Sequence, residues 1–363
     1  MKLALNLIRF FVGGLFIFSG LIKVNDPVGT AIKMEEYFEI FSLDIAGFFH
    51  YLVPFALPIS VFLVVLEVVL GIALLLNYKQ NFTLKSLLSI IVFFTALTGF
   101  SAITNSVTDC GCFGDAIKLT PWESFIKDIV LLVMIVFLYL SEHDTQSKEA
   151  EKRGHFLVGG SLVLSLALAL YAIAHLPFID FRAYKVGNHI PTQMQPSAEY
   201  IYEYVMEKDG EKFSFDTYPT DKSYTFVAMN HLNPEAAPKI TDFGVWNDDG
   251  DFTTEVFTGS KLFVILYDVS KTNKSGIEEI NELIRALGGK VDIYALTASD
   301  GTVFEAFQNE TNLSIPYYYT DATVLKTITR SNPGLWLLKD GTVMGKWHYN
   351  DVPNYGKVLD LVR

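Results

Sequence analysis

Two cysteines, Cys110 and Cys112, are the chain's whole stock of thiols, and a single glycine separates them in Thr108-Asp109-Cys110-Gly111-Cys112-Phe113-Gly114-Asp115. Random placement of two cysteines would bring them this close about 1% of the time, so the spacing is a signal. It points to reactivity. A disulfide across so small a ring removes little chain entropy, because that gain grows with loop length. In an extended chain the two Cα atoms sit near the upper end of the bonding range, and Gly111 lets the backbone fold tightly enough to close it. Such a bond is strained, easily reduced and oxidising in character, which suits a disulfide donor. Cys110 and Cys112 are therefore the candidate catalytic pair. Asp109 and Asp115 act against them by raising thiol pKa, and Lys118 offsets that effect. Three other readings stand beside this one. The cysteines fill space; the loop is a turn held by Gly111 and Gly114; or the thiolates bind a metal with Asp109 or Asp115. Cys-x-Cys is poor metal spacing, so no metal is expected.

The elements that carry this loop are hydrophobic. Half of the 363 residues are apolar, 14% are aromatic, and mean hydropathy is +0.31. Residues 1–184 carry 12 basic and 15 acidic side chains, and residues 185–363 carry 16 and 25. An apolar first half is thus followed by an acidic, water-soluble second half. That balance excludes nucleic-acid binding by a basic surface. Five runs in the first half approach the ~20 apolar residues a spanning helix needs: Leu3–Val24, Leu57–Leu76, Leu84–Ile103, Phe125–Leu140 and Phe156–Leu176. The fourth is short, with Trp122 and Lys127 as interfacial anchors. The first follows Lys2 and Arg9 but lacks a small-residue cleavage site, so it reads as a retained helix.

Lys2, Arg9, Lys79, Lys85, Lys148, Lys152 and Arg153 fall on one side if every run spans. The positive-inside rule makes that side the cytoplasm. The cysteine loop and the second half then lie in the periplasm, where disulfides persist. Between the first two runs, Pro27–His50 reads as an amphipathic interfacial helix with Ile32, Tyr37, Phe38, Ile40, Phe41 and Leu43 on its apolar side. Ser141–Gly154 reads as a charged cytoplasmic linker. Two charges fall inside the spans. Glu67 is expensive as an ion at mid-span and is expected to be neutral or paired. Lys23, at a helix end, is expected to snorkel. Both are candidate cofactor contacts for a membrane quinone, with a helix-to-helix hydrogen bond as the plainer role for Glu67.

From Tyr200 the apolar period shortens. Asp209-Gly210, Asp249-Gly250 and Asp340-Gly341 mark hairpins. Leu262–Val269 and the stretch from Lys290 to Ser299 read as buried strands, Ser275–Leu287 as a helix capped by Ser275 and ended by Gly288-Gly289, and Asp321–Ile328 and Tyr355–Val362 as further helices. Strands and helices in this order indicate an α/β sandwich.

The second half, over about Thr241–Val362, resembles the thioredoxin-like fold with the N-terminal hairpin of its peroxiredoxin-type members. The resemblance implies a Cys-x-x-Cys pair after the strand Leu262–Val269. This chain has Ser270-Lys271-Thr272-Asn273 there, so the domain performs no thiol exchange itself. Pro333 matches the family's cis-proline. Ser270, Asn273 and Pro333 thus mark a possible partner groove. The first half resembles the DoxX-like membrane proteins and, within them, the MauE branch. Phe18-Ser19-Gly20-x-x-Lys23, the stretch with Glu67 and Gly71, and Cys-Gly-Cys-Phe-Gly-Asp carry that likeness. The whole layout is similar to DoxX-family proteins of Bacteroidota. The resemblance implies a four-helix bundle in the cytoplasmic membrane, associated with disulfide formation in an exported partner.

The expected organisation is a DoxX/MauE-like four-helix transmembrane domain (1–142), a cytoplasmic linker with a fifth transmembrane helix (143–180), and a periplasmic thioredoxin-like domain (181–363). The expected function is thiol redox through Cys110 and Cys112 with an envelope protein partner; a non-catalytic scaffold for an envelope complex is the alternative.

Overall fold

The computed structural model describes residues 2–107, 111–141 and 148–363. The chain divides into two compact units, Met1–Arg182 and Ala183–Arg363. The first unit is helical: α1 (Lys2–Asn25), α2 (Pro27–Asp44), a 3-10 segment (Gly47–Phe55) running into α3 (Ala56–Leu75), α4 (Gln80–Thr104), α5 (Pro121–Ser141) and α6 (Lys148–Ala174). Among the described residues, five helical stretches are long and apolar enough to cross a membrane: Leu3–Asn25, Gly47–Leu75, Gln80–Thr104, Pro121–Ser141 and Glu151–Ala174. They fall on the five runs expected from the sequence.

Helices α1, α3, α4 and α5 share one core, built from Val12 and Phe16, Leu70 and Leu74, Leu87 and Ile91, and Leu131 and Ile135. Between α1 and α3 the approach is backbone to backbone. A Cβ at Gly71 would lie 2.8 Å from the Gly13 carbonyl oxygen, and one at Gly20 would lie 2.9 Å from the Val68 nitrogen. With no aqueous driving force between helices in lipid, small residues of this kind let the two surfaces meet. Helix α6 adds to α3 through Ala169 against Val64, Val65 and Val68.

Helix α2 forms where an interfacial helix was expected. Asp26 caps it, accepting from Gly29 N at 2.8 Å, and Pro27 occupies its first turn. Its buried stripe of Met34, Tyr37, Phe38 and Phe41 packs on α3, α4 and the 3-10 segment, and Tyr37 Oη and Ser101 Oγ share a 2.8 Å hydrogen bond. Leu43, expected on the apolar side, is exposed. The charged linker is shorter than expected, because α6 already begins at Lys148; Glu142–Ser147 lie outside the described residues.

The second unit opens with the short α7 (Ile190–Gln193). A three-stranded antiparallel sheet follows, ordered β2-β1-β3: β1 (Tyr202–Lys208), β2 (Glu211–Phe215) and β3 (Thr225–His231). The main sheet contains β4 (Trp246–Asn247), β5 (Gly250–Asp251), β6 (Ser260–Leu266), β7 (Asp292–Thr297), β8 (Tyr317–Tyr319), β9 (Gly334–Lys339) and β10 (Thr342–His348), in the order β10-β9-β6-β7-β8-β4-β5. β6, β7 and β8 run parallel, and β9 and β10 form an antiparallel hairpin beside β6. Helices α8 (Ile277–Leu287), α9 (Gly301–Thr311), α10 (Ala322–Ile328) and α11 (Tyr355–Val362) complete it.

Alternation along β6 divides the core. Leu262, Val264 and Leu266 pack with α8, α9 and α11 through Ile280, Phe304 and Val358. Phe263 and Ile265 point the other way, into Trp336, Leu325 and Ile328. The three Asp-Gly turns, the strands beside them, β6, β7 and three of these four helices lie where the sequence puts them, although β4 and β5 have only two residues each. Strands β3 and β8 were not expected. Two further details differ. Ser275 is not the cap of α8: Asn273 Oδ1 accepts from Ser275 N at 3.0 Å, and Gly276 precedes the helix. Helix α9 was not expected; Asp300 caps it, accepting from Thr302 N at 2.9 Å, and only Phe304 and Phe307 anchor it.

The α1–α3 contact makes a direct prediction. Gly71→Leu drives a side chain into the Gly13 backbone and should destabilise the first unit by about 1–3 kcal/mol or more. Gly159→Leu on α6, where an added Cβ meets nothing within 4 Å, should not. Thermal unfolding of the detergent-solubilised full chain checks both.

Candidate functional site

The α1–α3 contact places two side chains of α1 against one of α3. Ser19 and Lys23 are four residues apart and share a face. Lys23 Nζ donates to Glu67 Oε1 at 2.7 Å, and the Ser19 hydroxyl lies 3.0 Å from Glu67 Oε2. Lys23 and Glu67 are both buried, and the ammonium also sits 4.9 Å from the centroid of the Phe94 ring. The expectation for Glu67 is met, since it is paired inside the bundle. The expectation for Lys23 is corrected. It does not snorkel, because the close helix crossing gives its ammonium a carboxylate to meet in the interior.

The cysteine loop is seated on this pair. Ser19 Oγ donates to the carbonyl oxygen of Cys112 at 2.9 Å. Ser19 is roughly 9 Å below the end of α1 at Asn25, at 1.5 Å per residue, so the loop dips into the mouth of the bundle. Irregular backbone is tolerated at such a depth where protein surrounds it. Gly111 and Gly114 hold φ of +64° and +51°, which an L side chain rarely adopts, and Gly114 N donates to Gly111 O at 3.1 Å. Phe113 is buried, 5.8 Å from Phe18, and bridges to Ile117. The tight turn expected from the two glycines is therefore present. Cys110 and Asp109 lie outside the described residues.

A second ion pair stands on α5. Lys127 Nζ donates to Asp128 Oδ1 at 2.5 Å, and Thr98 Oγ1 of α4 donates to Asp128 Oδ2 at 2.9 Å. Lys127 lies 5.5 Å from the centroid of the Phe113 ring, which brings its charge under the loop. It is thus turned inward, not outward as an interfacial anchor. Cys112 is a free, half-buried cysteine. Burial pushes its thiol above the usual cysteine range, and Asp128 adds to this. Lys127 and Lys23 act in the opposite direction. The buried Ser124 hydroxyl lies near the same thiol, without a well-formed hydrogen bond. The cations beside Cys112 are therefore Lys127 and Lys23, whereas Lys118, expected in that role, is exposed.

Of the residues singled out from sequence, Cys112, Glu67 and Lys23 come together. Asp128, Lys127 as a partner of the loop, and Ser19 as its anchor were missed. Asp128 carried a readable signal, being an acidic residue within an apolar run. Both Glu67 oxygens are engaged and the Lys23 ammonium is enclosed, so the pair offers no open contact to a quinone head group.

In the second unit, Ser270, Asn273 and Pro333 also come together, but they are bonded among themselves and their neighbours. Asp268 Oδ1 accepts from Ser270 N and Oγ, Asn332 Nδ2 donates to Asp268 O at 2.7 Å, Asn273 N donates to Asn332 O at 2.9 Å, and Asn273 Nδ2 donates to Tyr349 Oη at 2.8 Å. The Asn332–Pro333 peptide is cis, and Pro333 is buried.

These features define a multi-pass membrane protein in which a cysteine loop rests on buried ion pairs, followed by a sheet-rich C-terminal domain. Residues 1–141 match the family described as methylamine utilisation protein MauE, so the membrane part is MauE-like. The chain is 30% identical over 173 residues to Protein TlpB of Flavobacterium psychrophilum, covering 46% of this chain and 43% of that protein. It thus spans less than half the length of that relative. No solved structure matches the chain.

Two predictions follow from the geometry. Removing one partner of a buried pair is costly, so Lys23→Ala and Glu67→Ala should each destabilise the first unit by about 3–5 kcal/mol, and Lys23→Met with Glu67→Leu together by less. Denaturation of the full chain in detergent compares them. For the thiol, the raised pKa means little thiolate at neutral pH. Lys127→Ala removes a cation that lowers this pKa and should slow Cys112 alkylation at pH 7 by about an order of magnitude. Alkylation rates of the Cys110→Ser protein, with and without Lys127→Ala, read this directly.

Proposed function

We propose that this protein is an integral membrane thiol-redox protein that exchanges disulfides with a protein partner of the cell envelope. The observation that supports this most is the seat of Cys112. Its backbone is anchored to the Ser19–Glu67–Lys23 cluster, and its thiol lies under the influence of Lys127. A space-filling cysteine needs neither an anchored carbonyl nor two neighbouring cations. In the proposed exchange, a partner thiolate attacks the Cys110–Cys112 disulfide and forms a mixed disulfide. A second partner thiol resolves it. The partner leaves as a disulfide, and this chain keeps both electrons and both protons as a dithiol.

The basic residues flanking the spans favour a cytoplasmic N-terminus in the inner membrane, with the cysteine loop and the C-terminal domain in the periplasm. We read the C-terminal domain as thioredoxin-like. In support, parallel β6 and β7 are flanked by the antiparallel β9–β10 hairpin, and residues 268–276 lead from β6 into α8. Its role in this reading is to hold the partner near Ser270 and Asn273, because it has no thiol there.

A second reading, a non-catalytic scaffold for an envelope complex, is favoured by that missing Cys-x-x-Cys and by the closed hydrogen bonding of Ser270 and Asn273. One experiment separates the two. Cells are quenched in acid and alkylated, and the redox state of Cys110 and Cys112 is read by mass. The redox reading expects a disulfide or a mixed disulfide with an envelope protein, and a Cys110→Ser/Cys112→Ser chain that fails to complement a deletion. Two thiols that stay reduced, with full complementation by the double variant, would establish the scaffold.

A further inference from the structure

We infer that one face of the β2-β1-β3 sheet is a docking surface for a basic segment of a partner protein. Residues directly opposite one another in an antiparallel ladder share a face. The register here makes two rows on one side, Phe215–Tyr204–Met229 and Phe213–Met206–Phe226. The other side carries Ser214–Val205–Ala228 and the Glu203–Asn230 pair. A sheet that is apolar on one side only ordinarily lays that side on a core. This one does not: among the described residues, none from these three strands belongs to either core of the second unit. Met206 is buried, but Phe226 and Met229 are 50% and 52% exposed, and Phe213 is exposed as well. From the β2–β3 loop, Tyr218 lies 5.5 Å from Tyr204 and Tyr224 lies 5.1 Å from Phe215, which extends the aromatic surface.

Aromatic rings and methionine are the side chains that interface centres favour, and charge selects the occupant. Between Glu199 and Leu232 the chain has seven acidic side chains against three basic ones. Of those three, Lys212 stands opposite Glu207 on the far side of the sheet, and Lys208 is held 3.5 Å from Asp221. The Lys208 ammonium also sits 4.9 Å from the centroid of the Tyr224 ring, so the surface already takes one cation on a ring. A second copy of this chain would set acid against acid, and anionic lipid would do the same. A Lys or Arg side chain gains twice, from the ring faces and from the carboxylates around them. The occupant is therefore a protein segment in which basic residues alternate with apolar ones. The inference rests neither on the cysteines nor on the residues near Ser270, so it stands or falls apart from the redox reading.

Fluorescence anisotropy on the detergent-solubilised full chain tests this, with a labelled peptide of alternating arginine and valine as the probe and its glutamate–valine counterpart as the control. The basic peptide should bind, more weakly as salt is raised, and the acidic one should not. Phe213→Ser and Phe226→Ser, both at exposed positions, should each weaken binding about tenfold. Ser214→Ala, on the far side of the same strand, should leave it unchanged. Far-ultraviolet circular dichroism confirms that each variant keeps its fold. No binding of the basic peptide, equal binding of the two peptides, or an unchanged affinity in both phenylalanine variants overturns the proposal. Two further outcomes overturn it by assigning the face to another occupant. A dimer in sedimentation that Phe226→Ser dissolves would give it to a second copy. Protection of Met229 from hydroxyl radicals that appears only in phosphatidylglycerol nanodiscs would give it to lipid.

Discussion

An ammonium and a carboxylate inside a lipid-embedded bundle have to find one another, because neither has water to fall back on. Lys23 and Glu67 meet at 2.7 Å, and much of the membrane unit can be understood as the arrangement that permits this. Two helices must approach closely enough for side chains of ordinary length to touch head to head. Gly13, Gly20 and Gly71 bring α1 and α3 to that distance. The pair is then a constraint in its own right. A shift of one helix along the other would separate the charges and leave both unpaired, at a cost larger than that of any single apolar contact in the core.

The cysteine loop depends on this register. Its carbonyl at Cys112 reaches Ser19, its ring at Phe113 reaches Phe18, and Lys127 lies below that ring. Two of these three contacts are polar or cationic. The thiol is accordingly in a setting of opposed influences. Burial disfavours the thiolate while Lys127 and Lys23 favour it, so modest movements of the loop change its reactivity. Asp128 of α5 adds to the effect of burial on the thiol.

The sequence made the spans legible, since a run of ~20 apolar residues has few alternatives. The Asp-Gly hairpins and α8, with its periodic Ile and Leu, were equally plain. Less regular elements were hidden. Helix α9 has only two buried phenylalanines and begins with glycine, and β3 is exposed along most of its length. Within the site, Cys112 and Glu67 stood out by type. Ser19 did not, because a serine in an apolar run gives no sign of what lies across from it. Lys23 and Lys127 were read as reaching for water, the ordinary behaviour of lysines near helix ends. Only the tertiary contacts show that Lys23 meets Glu67 and that Lys127 lies against the Phe113 ring.

Through Ser19, the thiol loop and the buried carboxylate form one unit. Infrared difference spectra of the full chain in lipid, taken between oxidised and reduced Cys110/Cys112, test it most directly. A carboxylate band from Glu67 should change with the redox state of the cysteines, shift on isotopic labelling of glutamate and disappear in Glu67→Gln. A redox difference spectrum with no glutamate contribution would contradict it.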